Sequence, residues 1–245
     1  MKIIGIDLAG RVDNPTGICV LYADNIDGKS TTREVKLKIN EINFNTIYSD
    51  EELVKQTNDL KPSLMVIDAP LSLPKGRCCL EKDCECAVGG HFRQSEREIR
   101  RYGPVLPLTF KGMKMLTMRG VALNRVLSGE YQLKETHPRT AQKILGFENL
   151  KKDLGNYFQF NTDPTEHELD AVLAALTGFF LELASDEMND EMDANPIYAS
   201  MIMVATINNT PITEIVMEVA LNILNLDLFI YITYEFDVLT RKKLW

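Results

Sequence analysis

MKIIGIDLAG, residues Met1 to Gly10, is the stretch from which the rest of the chain can be read. Ile3, Ile4 and Ile6 form a short apolar run that fits a buried strand, and Asp7 ends it. A carboxylate there is costly to bury unless a metal, a cation or a row of amide donors meets it. Gly10 removes a side chain where a ligand or a second backbone can approach. The plainer reading is that Asp7 caps or solvates a strand end. The residues that gather round it decide between the two.

The same form returns at Ser63–Pro70, SLMVIDAP, an apolar run closed by Asp68 and a small Ala69. Between the two runs, Asn14-Pro15-Thr16-Gly17 is turn chemistry, so GICVLY (Gly17–Tyr22) folds back on the first run as a hairpin. REVKLKI (Arg33–Ile39) alternates polar and apolar residues and predicts a third strand with one face in water. Ser49 and the acids after it start a helix that runs to about Leu60, before Pro62. Further on, a helix is predicted near Ser95–Tyr102 and another over Lys114–Leu127, whose Met115 and Met118 read as core. YQLKET (Tyr131–Thr136) is a fifth strand ending near Glu135, and Arg139–Leu145 is a short helix. Thr165 with Glu168 is a capping box opening a last helix to about Ala184. Three strands, helix, strand, helix, strand, helix make a mixed α/β layer fold. Its first strands form an antiparallel meander, and the later ones are parallel, joined by helical crossovers.

Two segments stand outside this pattern. Residues 70–108 are long, rich in Pro and irregular, which favours a functional stretch over a linker. The tail, 186–245, opens on an acidic linker and is an appendage without an assigned role. The main domain is therefore 1–185. The chain carries a net charge of −8, yet Lys75–Arg125 holds 11 basic against 5 acidic residues. Screening limits distant charge to a reach of roughly 10 Å, so this zone can meet phosphates on an acidic protein, or be no more than a solvated face. No apolar run is long enough for a membrane span. An acid at position 7 comes too early for a signal peptide, so the expected location is the cytoplasm. The oligomeric state is left open.

Asp7 and Asp68 end apolar strands, Glu135 sits near the end of another, and Asp170 lies on the last helix with His167 three residues before it, on one helix face. If the first and fourth strands are neighbours, Asp7 and Asp68 come together. Carboxylates so close repel unless divalent cations neutralise them, and oxygen ligands favour Mg²⁺ or Mn²⁺. Two such ions about 4 Å apart can activate a water and stabilise the leaving oxygen of a phosphodiester.

Taken in order, GIDLAG…TGICVL, VIDAPLSLP, FRQSEREIRRYG, MKMLTMRGVALN, ETHPRTAQKILG and ELDAVLAALT resemble domain-of-unknown-function family 429, predicted nucleases with a ribonuclease-H-like fold. The likeness runs from Met1 to about Leu183. It implies a five-stranded mixed sheet with the first strand in the middle, helices on both faces, and a metal site at Asp7, Asp68 and Asp170. His167-x-x-Asp170 is similar to the last motif of the Holliday-junction-resolvase branch of that superfamily, whose members usually carry Glu where Asp68 stands. On the nuclease reading Asp7 bridges two ions, Asp68 and Asp170 complete one each, His167 is a ligand or proton acceptor, and Glu135 is an acid outside the direct ligands. Arg93, Arg97, Arg101, Lys114 and Arg119 then hold the phosphate backbone of a nucleic acid. Glu135 has a plainer alternative as a partner for Arg139 or His137.

Two other functions are compatible with these residues. Actin-like ATPases and phosphotransferases share the strand topology and also end their first strand in an Asp, but need two copies of the fold. A binding protein whose acids hold a metal without catalysis is the third. Separately, Cys78, Cys79, Cys84 and Cys86, with His91 nearby, are spaced so that they can hold a structural Zn²⁺, stay as reduced thiols or form a redox pair. Five cysteines, four of them crowded together, are no secreted disulfide framework. Cys19 reads as core.

Overall fold

Over the residues that the computed structural model describes, 1–25 and 37–187, the chain passes through β1 (Lys2–Asp7), β2 (Thr16–Asn25), β3 (Leu37–Ile47), α1 (Asp50–Leu60), β4 (Leu64–Ile67), α2 (Gln94–Ile99), α3 (Lys111–Leu127), β5 (Leu133–Glu135), α4 (Pro138–Ile144), α5 (Leu150–Gly155) and α6 (Glu166–Glu187). The strands form one sheet in the order β3-β2-β1-β4-β5. β2 is antiparallel to β1 and β3, whereas β4 runs parallel to both β1 and β5. A central first strand with only the second reversed is the sheet order that the resemblance implies, and the mixed α/β expectation holds.

β1 is apolar because both its faces are covered. Ile3 points into a core built with α6 and with Leu145, Leu150 and Leu154. Ile4 and Ile6 point the other way, into a core closed by Leu53 of α1 and by Leu123 and Leu127 of α3. Helices thus lie on both faces. α6 sits unusually close to the sheet. A Cβ on Gly5 would come within 2.1 Å of the Ala171 carbonyl oxygen, and one on Gly17 within 2.1 Å of the His167 carbonyl oxygen. These two glycines therefore let the first turns of α6 press onto β1 and β2. Ser49 caps α1 by accepting from the Glu52 amide, and Thr165 and Glu168 form the expected reciprocal cap of α6.

Three expectations change. The third strand runs well beyond Arg33–Ile39: it is described from Leu37 and continues to Ile47, and residues 26–36 fall outside those described. Its asparagines weaken the strand signal, but ten residues of β2 pair with it, across a bulge next to Tyr22 and Ala23. Met115 and Met118 are not core: they are 37% and 40% exposed, and α3 buries Thr117, Val121, Leu123 and Leu127 instead. α5, capped by Asn149 and anchored by Leu150 and Leu154, was not expected. The irregular stretch contains α2 and a short 3-10 turn at Glu85–Gly89. No helix among the described residues is long and apolar enough to cross a membrane. The tail beyond residue 187 lies outside the described residues.

Candidate active site

The parallel strands β1, β4 and β5 end on the same edge of the sheet, and that edge collects the acids. The ladder carries on past β4, where the Asp68 amide donates to the Ile6 carbonyl at 2.8 Å. Asp7 and Asp68 are thus side by side. α6 enters over this edge, with His167 and Asp170 one turn apart on the face it turns to β1. His167 Nδ1 lies 2.6 Å from Asp7 Oδ2. Asp170 is only 7% exposed, with one carboxylate oxygen, Oδ2, 3.0 Å from the Arg139 guanidinium. Its other oxygen, Oδ1, is buried without a hydrogen-bond partner.

The charges of these acids act on one another. Burial pushes Asp68 well above the usual carboxylate range, and the charges of Asp7 and Asp170 push it further, against the pull of Arg139. Burial raises Asp170 to about 6; Arg139 opposes this and Asp7 adds to it. Asp7 is also raised by burial, with the His167 hydrogen bond working the other way. Like charges that share a low-dielectric site behave in this way. Asp170 Oδ1 is a buried, unpartnered oxygen, its carboxylate is acted on by the charge of Asp7 and acts on Asp68, and oxygen donors of this kind suit a hard divalent cation. The carboxylates are less tightly gathered than the cysteines: among the described residues, the four thiols are the ligand set whose atoms all lie within 4.8 Å of one another.

The other residues singled out from the sequence divide into two groups. Glu135 lies beside the same cleft as Asp68, but its Oε1 accepts from the Leu71 amide and from Arg93, each at 2.5 Å. Neither Arg139 nor His137 is its partner. Arg93 also donates to Glu96 and to Ser72, and is largely buried. Arg119, 7% exposed, donates to Asp50, to the Ala9 and Arg11 carbonyls and to Thr16. Expected to hold phosphate, Arg93 and Arg119 instead have their donors directed into the fold: Arg93 locks the loop after β4 to β5, and Arg119 locks the loop after Asp7 to α1 and α3. Lys114 pairs with Glu81 at 2.5 Å. Arg97 and Arg101 are exposed, as is Arg100. Arg100 stacks over Phe92 and Arg101 over Tyr102, with ring distances of 4.9 and 4.8 Å.

Sequence reasoning missed Arg139 as a site residue. It is the cation that the acids actually meet, and more than half of its side chain is exposed. The signal lay in Thr136-His137-Pro138-Arg139. His137 accepts from the Thr140 amide as N-cap, and Pro138 follows at the start of α4, which fixes where that helix begins and sends its first charged side chain to the edge of the sheet. Next to Asp68 a cleft of about 270 Å³ opens, walled by Ile99, Val105, Leu106, Met113 and Leu116.

No family model matches the chain, and no curated protein matches it. Among solved structures it is similar to T. thermophilus RuvC in complex with Holliday junction substrate, at 11% identity and a TM-score of 0.41, over 76% of this chain and 98% of that one.

Proposed function

We propose that the protein is a divalent-metal-dependent phosphodiesterase and, more finely, a nuclease. The observation that carries the reading is Asp170 Oδ1, a buried carboxylate oxygen with no partner, on a residue whose charge acts on Asp68 and is acted on by Asp7. Asp7, Asp68 and Asp170 are the residues that would hold Mg²⁺ or Mn²⁺. Such ions, when bound, activate water and neutralise charge on a leaving oxygen. The resemblance of the motif order to family 429 points the same way.

The chain's own groups have distinct tasks in this reading. An ionised Asp7 can only accept a hydrogen bond, so His167 Nδ1 carries the hydrogen and Nε2 of a neutral ring is left to take a proton. Asp7 is then both a ligand and the group that orients His167. Arg139, exposed at the mouth of the site, offers its remaining donors to a phosphate oxygen. Arg97, Arg100 and Arg101 supply positive charge along the approach. Arg93, Arg119 and Glu135 act as positioning residues, because their donors and acceptors are already taken.

The test is cleavage of labelled single-stranded, duplex and branched DNA and of RNA, with Mg²⁺ or Mn²⁺, by the wild-type chain and by Asp7→Asn. Expected is metal-dependent cleavage that falls on the order of 100-fold or more in the variant. Cleavage absent under every condition, or unchanged in Asp7→Asn, overturns the proposal.

A further inference from the structure

We propose that Cys78, Cys79, Cys84 and Cys86 bind one Zn²⁺ as a closed tetrathiolate site that holds the loop between β4 and α2 in shape. The distances carry it. Cys78 and Cys84 have their Sγ atoms 3.8 Å apart, Cys79 and Cys86 3.7 Å, and Cys84 and Cys86 3.2 Å. A tetrahedral ion with Zn–S bonds of about 2.3 Å places its sulfurs roughly 3.8 Å apart. A disulfide needs about 2.05 Å, so none of these pairs is one. An iron–sulfur cluster spreads its four cysteines wider than a single ion does.

The backbone around the thiols is already organised for this. Arg77 is buried inside the loop and donates to the carbonyls of Cys79 at 2.8 Å, Glu81 at 2.7 Å, Ala87 at 3.3 Å and Gly90 at 2.9 Å. It ties together the two stretches that carry the cysteines. Among the described residues no acid pairs with this guanidinium, which leaves a buried cation bonded only to neutral carbonyls. Buried charge is normally met by an opposite one, and four thiolates on Zn²⁺ carry a net charge of −2. The loop has little else to hold it, since Leu80 is the one buried apolar side chain within 75–90 and Val88 is 93% exposed. Binding is a proton exchange without redox change: each thiol releases its proton to solvent as its sulfur takes the ion.

The consequence reaches the candidate active site. The loop starts after Asp68 and delivers Arg93, which holds Glu135 beside the cleft. The ion thus fixes one wall of that cleft without taking part in chemistry.

The experiment is metal analysis of the full chain, expressed with zinc in the medium and purified without chelators. About one equivalent of zinc is expected, released by a thiol-modifying mercurial and lost in Cys84→Ser but kept in Cys19→Ser. Cobalt in place of zinc should give the visible bands and thiolate charge transfer of a tetrahedral sulfur site, and this wild-type measurement decides if the cysteine variants do not fold. Less than about half an equivalent, iron with sulfide in place of zinc, or full zinc content in Cys84→Ser overturns the proposal. Zinc content should be unchanged in Asp7→Asn, so a failed nuclease assay leaves this result standing, and the reverse also holds.

Discussion

Asp170 keeps one oxygen against Arg139 and leaves the other buried and unpartnered, and burial lifts its pKa from 3.8 to about 6. That shift sets a sign. The folded state holds the proton more tightly than the unfolded chain, so between about pH 4 and pH 6 the folded state binds more protons. Stability therefore falls as pH rises through this window, by an amount on the order of 3 kcal/mol. Asp68 and Asp7 act in the same direction. Removing the most crowded charge should relieve the strain. In metal-free protein, Asp68→Asn is expected to raise the thermal midpoint by roughly 2–4 °C for each kcal/mol of relief, and to flatten the fall that begins above about pH 4. Mn²⁺ binding should weaken in the same variant. Thermal unfolding across pH with chelator present, followed by Mn²⁺ titration, checks both halves. A midpoint that drops in Asp68→Asn would mean the carboxylate is held by favourable contacts rather than crowded by its neighbours.

At the scale of elements, the site depends on how close α6 lies to the sheet. The backbone of α6 occupies the space that a side chain at Gly5 would need. Gly5→Ala should therefore lift the helix and cost about 2–4 kcal/mol, well beyond the ordinary gain of Ala over Gly in a strand. It should also separate His167 from Asp7. Denaturant unfolding measures the first effect, and a change in the chemical shifts of the His167 ring protons by NMR measures the second. An unchanged midpoint would show that the helix can shift at no cost. The strand ends were legible in the sequence because an apolar run followed by one acid is a local signal, and so was the capping box at Thr165. α5 was hidden because six residues are too few to show a helical period. The continuation of β3 past Ile39 was hidden because its asparagines mask a strand that cross-strand pairing creates. The roles of Arg93, Arg119 and Arg139 were not legible at all. Arg119 reaches Asp50 and Ala9, 69 and 110 positions away, and no spacing rule describes such a reach.

For the whole molecule, the proposed function asks how a chain with net charge −8 would approach a polyanion. The exposed Arg97, Arg100 and Arg101 concentrate positive charge on one segment, and screening keeps distant acids from cancelling it. If this segment meets phosphates, binding to duplex DNA must weaken as salt rises, with a slope of about 0.9 per phosphate contacted. Replacing all three arginines by alanine should lower that slope by roughly 2–3 and leave the thermal midpoint near the wild-type value, since none of them is buried. Fluorescence anisotropy over a range of KCl concentrations measures it, and an unaltered slope assigns the nucleic acid to another face. The acids themselves come from positions 7, 68 and 170. A nascent chain leaving the ribosome thus has two of its three carboxylates early, and lacks the third until the last described helix has been made and has docked. On the proposed reading, affinity for divalent ions would arrive only with that helix, and a product truncated before it should be inert however well its strands had paired.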